Sequence, residues 1–169
     1  MLEISVEYES GPDVLRFEPV SLVIGDSDGD ETQFARKNNK TLGETLNARR
    51  YASLKAAVLS RYSDRLDEPL GTFLLNLKRS GDGLYARFLN KYGDLEYCRF
   101  EAAESPLLDS MGLYLFVIAK GIRYVGRCRD SFRKRINGGY GRISPKNCFL
   151  DGQSTNCRLN SLVSTHRDT

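Results

Sequence analysis

The chain has no apolar run long enough to cross a membrane, and its N-terminus, MLEISVEYES, is not that of a secretory leader. Those two absences exclude a helical membrane span and a cleaved signal, and leave a soluble cytoplasmic protein as the expectation. No cysteine pair has CxxC spacing, so Cys98, Cys128, Cys148 and Cys157 read as reduced thiols. Cys148, Cys157 and the single histidine, His166, match no standard zinc-site spacing. Internal repeats and low-complexity tracts are also lacking. The acidic stretch GDSDGDE at 25–31 fails as an EF-hand loop: counted from Asp26, Glu31 stands where glycine is required and Lys37 where the bidentate glutamate is required.

At 169 residues the chain fits one domain or two small ones, and 40% hydrophobic content is enough for a packed core. The net charge of +3 hides an asymmetry. Residues 1–105 carry 14 Lys/Arg against 18 Asp/Glu, and residues 106–169 carry 11 against 4. A basic C-terminal part is the footprint expected for a polyanion partner, although a solvated basic surface reads the same way.

Residues 1–105 read as a mixed α and β region. Leu2 to Tyr8 alternates as a half-buried strand, Gly11-Pro12-Asp13 reads as a turn, and Val14 to Ile24 suggests a second strand with an edge or bulge at Pro19. Thr41 and Glu44 fit a capping box that opens a helix reaching about Tyr62, with Tyr51, Leu54, Val58 and Tyr62 on one stripe. Arg50, Lys55 and Arg61 flank that stripe and could either track a nucleic-acid backbone or solvate a helix. Leu70, Phe73, Leu74 and Leu77 repeat at helical spacing and stop at Gly81-Asp82-Gly83. Leu84–Leu89 and Leu95–Glu101 look like strands. Glu104-Ser105-Pro106 is the expected boundary, with a second part over 106–169.

That second part begins with GLYLFVIAKGIRYVGRCRDSFRKRI, from Gly112 to Ile136. Apolar runs on either side of Lys120-Gly121 give a hairpin signal. A two-residue turn at Lys120-Gly121 would pair Ala119 with Ile122 and put Tyr114 and Tyr124 on opposite faces. A three-residue loop over Ala119-Lys120-Gly121 would pair Ile118 with Ile122 and put both tyrosines on one face, with Gly121 in the left-handed position of a bulge. The three-residue form is expected, because two hydroxyls share a site only when they project the same way. Asp130 or Ser131 then caps a short helix ending at Asn137-Gly138-Gly139, with Phe132 and Ile136 packed inward and Arg133 and Lys134 more outward. Thr155 to about His166 reads as a last helix, with Leu159, Leu162 and Val163 inward.

Gly112-Leu113-Tyr114 followed, ten residues after the tyrosine, by Tyr124-Val125-Gly126 and a basic helix resembles the GIY-YIG nuclease family. The resemblance covers roughly residues 110–165 and implies an α+β fold with a hairpin and helices. It implies a metal-dependent endonuclease acting on DNA, most often double-stranded, with Mg²⁺ as the divalent cation. Tyr114 and Tyr124 match the motif tyrosines. Arg135 matches the phosphate-stabilising helix arginine once one residue is inserted at Asp130-Ser131. The family's His/Tyr position falls at Gly139, and Tyr140, one residue further, is the candidate. Phosphodiester hydrolysis suits such a set: phenols orient water or relay a proton, and a guanidinium binds two phosphate oxygens at once. Arg127, Arg133, Lys134, Asn156 and Arg158 are candidate substrate contacts, with Asn160 beside them on the last helix. The resemblance also implies a metal-binding glutamate on a later helix, after another strand. No glutamate follows Glu104, and Asp151 and Asp168, the acids beyond the basic helix, are poor substitutes. The expectation is a sequence that stops before this region. A nucleic-acid-binding module without cleavage, and a partner-binding domain, are the alternatives.

Overall fold

The computed structural model describes residues 2–8, 11–27 and 40–167. It is an α+β chain with three two-stranded antiparallel sheets among the described residues. β1 (Leu2–Tyr8) pairs with β2 (Gly11–Phe17). Gly11-Pro12-Asp13 are therefore strand residues rather than a turn. The strand expected over Val14 to Ile24 is split, and Pro19 falls in the gap before β3 (Leu22–Ser27). Proline cannot donate to a ladder, so a break there is physically expected. Most of the acidic stretch at 25–31 lies outside the described residues.

Thr41 and Glu44 form the expected capping box, with Thr41 N to Glu44 Oε2 at 2.9 Å and Glu44 N to Thr41 Oγ1 at 3.2 Å. The helix they open is short. α1 (Leu42–Leu46) stops, a 3₁₀ turn covers Arg49–Tyr51, and α2 (Ala52–Tyr62) resumes. The apolar stripe survives the break: Tyr51, Leu54 and Val58 are buried and Tyr62 packs against them. α3 (Leu70–Arg79) buries Leu70, Phe73, Leu74 and Leu77, as the helical spacing predicts, and Gly81 leaves it in the left-handed conformation, φ +74°. Each such side chain contributes about 1.5–3 kcal/mol on burial. Leu84–Leu89 is not a strand: Gly83–Phe88 is 3₁₀, started by the Asp82 carboxylate accepting from Leu84 N at 2.9 Å. Leu84 and Phe88 point into the first core while Ala86, which a strand would put on the same face, is exposed.

β4 (Cys98–Ala102) pairs with β3. β5 (Gly112–Ile118) and β6 (Gly121–Cys128) form the hairpin. A helix starting at Phe132 becomes a π-helix over Lys134–Tyr140, followed by α4 (Pro145–Cys148) and α5 (Ser154–Thr165). The first core gathers α1, α2 and α3 with Cys148, Phe149 and Cys157. The second gathers Cys98 and Phe100 of β4 with Tyr114, Phe116, Cys128, Tyr140, Leu159 and Val163. Both cores draw residues from either side of Glu104-Ser105-Pro106. Across them, Tyr51 Oη donates to Asp151 Oδ1 at 2.8 Å and Asn90 Nδ2 to the Asn147 carbonyl at 2.7 Å. No helix among the described residues is long and apolar enough to cross a membrane. The four cysteines are buried and none is in a disulfide.

Candidate active site

The hairpin turn differs from both expected forms. Ile118 pairs with Gly121, and Ala119 and Lys120 are the two turn residues, at φ +51° and +61°. Two consecutive left-handed residues make the twist that suits a two-residue hairpin, here without the usual Asn-Gly. The extra residue sits inside β6. Val117 pairs with Ile122 and Phe116 with Tyr124, so Arg123 is the bulge. Past it, Tyr114 pairs with Gly126. Tyr114, Phe116 and Tyr124 thereby share the inward face, and a strand bulge does what a longer loop was expected to do.

The hydroxyl end of the Tyr114 ring lies over Gly126. A Cβ built on Gly126 would fall within the Tyr114 ring, so only glycine fits this position of the motif. The ring is 7% exposed and packs edge-on against Phe132, centroids 6.0 Å apart. Its hydroxyl lies 2.7 Å from that of Tyr140, and Arg135 Nε donates to the same Tyr114 oxygen at 3.4 Å. The Arg135 guanidinium also stands 4.8 Å from the Tyr140 ring centre, a cation–π contact. Tyr124 joins through ring contacts with Tyr114 at 6.1 Å and Tyr140 at 6.2 Å. Tyr114, Tyr124, Arg135 and Tyr140 are thus brought together around Phe116.

The π-helix explains why Tyr140, and not Gly139, follows Arg135. Its i→i+5 bonds, such as Gly141 N to the Ile136 carbonyl at 2.7 Å, take one more residue per turn than an α-helix. The helix therefore runs through Asn137-Gly138-Gly139 instead of ending there. It is held in this form by the edge of β4. Ala102 N donates to Asn137 Oδ1 at 2.9 Å, and Phe100 N to the Gly141 carbonyl at 3.1 Å. Cys98 N donates to Asn160 Oδ1 at 3.0 Å. Every second amide of β4 thus finds an acceptor outside any strand. Asn160 also donates to the carbonyls of Cys98 at 2.7 Å and Tyr140 at 2.8 Å. It is wholly buried and positions Tyr140; it does not face a ligand.

Burial, and then its hydrogen bonds with Tyr114 and Tyr124, hold the Tyr140 phenol above the ordinary tyrosine range. It stays a neutral donor at neutral pH. Tyr140 has no solvent exposure, so it backs the site, while Tyr124 and Arg135 are part-exposed and form its accessible side. The Tyr114 hydrogen bond holds the Arg135 guanidinium in its charged form.

The expected substrate contacts separate into three groups. Arg127 and Arg158 are exposed, on β6 and α5. Lys134 is exposed and paired with Asp130. Arg133 is committed elsewhere: it grips Glu104 with two bonds of 2.9 and 2.7 Å and Asp109 with two of 3.0 and 3.3 Å, and holds both carboxyls below their usual range. Asn156 is 4% exposed and turned toward Gln153 Oε1 at 3.0 Å, away from solvent. In the N-terminal part, Arg50 donates to the Leu150 carbonyl at 3.3 Å and Arg61 pairs with Asp82. Asp151 is taken up by Tyr51. Among the described residues no three His, Cys, Asp or Glu side chains are grouped to hold an ion. The cluster itself supplies three phenols and a guanidinium and no carboxylate, a donor set that does not fit a hard divalent cation.

Gly126, Asn137, Gly141 and Asn160 shape the site without having been singled out for that role. For Asn160 the signal was its place four residues after Asn156 and three before Val163, on the buried stripe of α5. Comparison with protein-family models, with curated proteins and with solved structures finds no match to this chain.

Proposed function

We propose that the chain is a nuclease of GIY-YIG type that hydrolyses phosphodiester bonds of DNA, in the cytoplasm, with Tyr114, Tyr124 and Arg135 at the reacting centre. The observation that carries this reading is the convergence of a guanidinium and three phenols from a hairpin and the helix behind it. Arg135 spends Nε on Tyr114 and keeps its two terminal amino groups for non-bridging phosphate oxygens. Charge growing on those oxygens is stabilised by a donor already oriented and partly desolvated. Tyr124, part-exposed beside it, orients the attacking water. Tyr114 links Arg135 to Tyr140 and so fixes the guanidinium on the accessible side of the cluster. On the resemblance, Mg²⁺ is the expected cofactor. Exposed Arg127, Lys134 and Arg158 and the excess of 11 Lys/Arg over 4 Asp/Glu in residues 106–169 support a double-stranded polyanion as substrate.

The test is incubation with supercoiled plasmid and Mg²⁺. Nicking that Tyr124→Phe and Arg135→Ala abolish supports the nuclease. Salt-sensitive binding without nicking indicates a DNA-binding module, and no mobility shift at low salt removes the nucleic-acid reading altogether.

A further inference from the structure

Two sulfurs meet in the first core. Cys148 closes α4, Cys157 lies in the first turn of α5, and both are wholly buried. Their Sγ atoms are 3.9 Å apart. A disulfide needs about 2.05 Å, so a shift of less than one bond-length pair joins them. The chain between them folds back through Asp151-Gly152, where Gly152 N donates to the Phe149 carbonyl at 2.9 Å. Tyr97 lies against the pair: Cys148 donates to its hydroxyl oxygen at 3.8 Å, and that hydroxyl donates to the Tyr92 carbonyl. Burial alone is ordinary for a cysteine, but it does not account for a second sulfur close enough to share a proton. That contact divides the two. Cys157 is held below the ordinary thiol value, first by its hydrogen bond with Cys148 and against its burial. Cys148 is pushed up by the same bond and then by burial. A thiolate beside a thiol is the arrangement of an attacking and a resolving sulfur.

We propose that Cys148 and Cys157 form a site of reversible oxidation, at which hydrogen peroxide converts the thiol pair to a disulfide between α4 and α5. The Cys157 thiolate attacks one peroxide oxygen, the O–O bond breaks, and the departing hydroxide takes up a proton to become water. Cys157 is then a sulfenic acid. The Cys148 sulfur attacks the Cys157 sulfur, the S–O bond breaks, and the Cys148 proton leaves with the hydroxyl as a second water. Each sulfur gives up one electron, and the peroxide oxygens gain the pair. A low-molecular-weight thiol reverses the bond by exchange and is itself oxidised to a disulfide. Peroxide is the oxidant that the burial admits, because it is little larger than water and can enter on local opening. The neighbouring thiol resolves the sulfenic acid before a second peroxide can carry it to the irreversible sulfinic acid. Asn160 lies one turn beyond Cys157 on α5, so the bond ties to α4 the helix that positions Tyr140. The inference is independent of the nuclease reading.

The test treats the full, folded chain with hydrogen peroxide at neutral pH, then unfolds it, alkylates the remaining thiols and locates each cysteine by peptide mass spectrometry. Circular dichroism before and after treatment confirms that the chain stays folded. The expected result is one disulfide, Cys148–Cys157, which dithiothreitol removes. Cys98 and Cys128, equally enclosed but in the second core, should be recovered as alkylated thiols. Recovery of Cys148 and Cys157 as thiols or as sulfinic acids, or in bonds to other cysteines, overturns the inference. So does a Cys148–Cys157 bond that forms in urea but not in the folded chain.

Discussion

The ring of Tyr114 occupies the space that a Cβ on Gly126 would need, so the tyrosine of one strand and the glycine of the other are a single packing unit. Gly126→Ala is expected to cost about 1–3 kcal/mol through overpacking, read as a lower urea midpoint at constant slope. Tyr114→Ala in the same background should recover part of that loss. Strict additivity of the two losses, within about 0.5 kcal/mol, would show that the two residues do not meet.

Asn160 serves three buried main-chain groups, the N–H and C=O of Cys98 and the C=O of Tyr140. Asn160→Ala removes all three of these bonds, at about 1–3 kcal/mol for each group that finds no other partner. A destabilisation of at least about 3 kcal/mol in urea unfolding is expected. Arg158→Ala, on the exposed side of the same helix, should stay within about 0.5 kcal/mol. Similar small losses for both would remove Asn160 from its role as the staple between α5, β4 and Tyr140.

The Tyr140 phenol is pushed up by burial first and by its hydrogen bonds second. Unfolded, it titrates near pH ~10. The folded state keeps a proton that the unfolded state gives up, so this stabilisation is whole below about pH 10 and is lost as pH rises toward the folded value. Tyr51 and Tyr97, also raised chiefly by burial, act in the same direction. Stability should therefore fall with alkaline pH, by about 1.4 kcal/mol per pH unit for each such phenol. Tyr140→Phe should make that fall shallower by one proton. An unchanged slope in Tyr140→Phe would contradict the buried, protonated assignment.

Arg133 and its neighbours separate by salt. Arg133 is held by Glu104 and Asp109, whereas Arg127 and Arg158 are exposed. Arg127→Ala and Arg158→Ala should each lower the slope of log affinity against log salt by about 1. Arg133→Ala should leave that slope nearly unchanged and instead loosen the Glu104–Asp109 segment, at pH values where both carboxyls are ionised. Because Arg133 lowers their folded pKa values, its stabilising effect is present above the ordinary carboxylate range and disappears as pH falls through the lowered values. A full loss of one unit of salt slope in Arg133→Ala would place it on the substrate.

Periodicity made some elements readable and left others hidden. Leu70, Phe73, Leu74 and Leu77 fall on one face at 3.6-residue spacing, and the structure buries all four. The Thr41 capping box was readable because both hydrogen bonds are local. The hairpin was legible, but its extra residue was not: nothing in Ile122-Arg123-Tyr124 marks Arg123 as a bulge, and Gly121 drew attention to the turn. Gly138-Gly139 read as a helix end because glycine favours that position. The π-turn that carries the chain on to Tyr140 depends on acceptors that β4 requires from a distance. Asn156 and Asn160 read as outward polar residues because a buried asparagine is recognisable only with its main-chain partners in view. The grouping of Tyr114, Tyr124 and Arg135 was expected from the resemblance carried by GLY, YVG and the basic helix, whereas the bulge that puts the two tyrosines on one face was not. The support behind them, from Asn137, Gly141 and Asn160, is long-range and had no local mark.

The most direct measurement is the single-turnover nicking rate of supercoiled DNA with Mg²⁺ for the unmodified chain, Arg135→Lys and Arg135→Ala, with folding checked by circular dichroism. If the guanidinium held by Tyr114 stabilises the phosphate in the transition state, Arg135→Ala should lose about 10²–10³-fold in rate. Arg135→Lys should recover little, since lysine lacks the planar fork that can hold two phosphate oxygens while Nε stays on Tyr114. Nicking by the folded unmodified chain that persists undiminished in both variants would contradict the assignment of this cluster as the reacting centre.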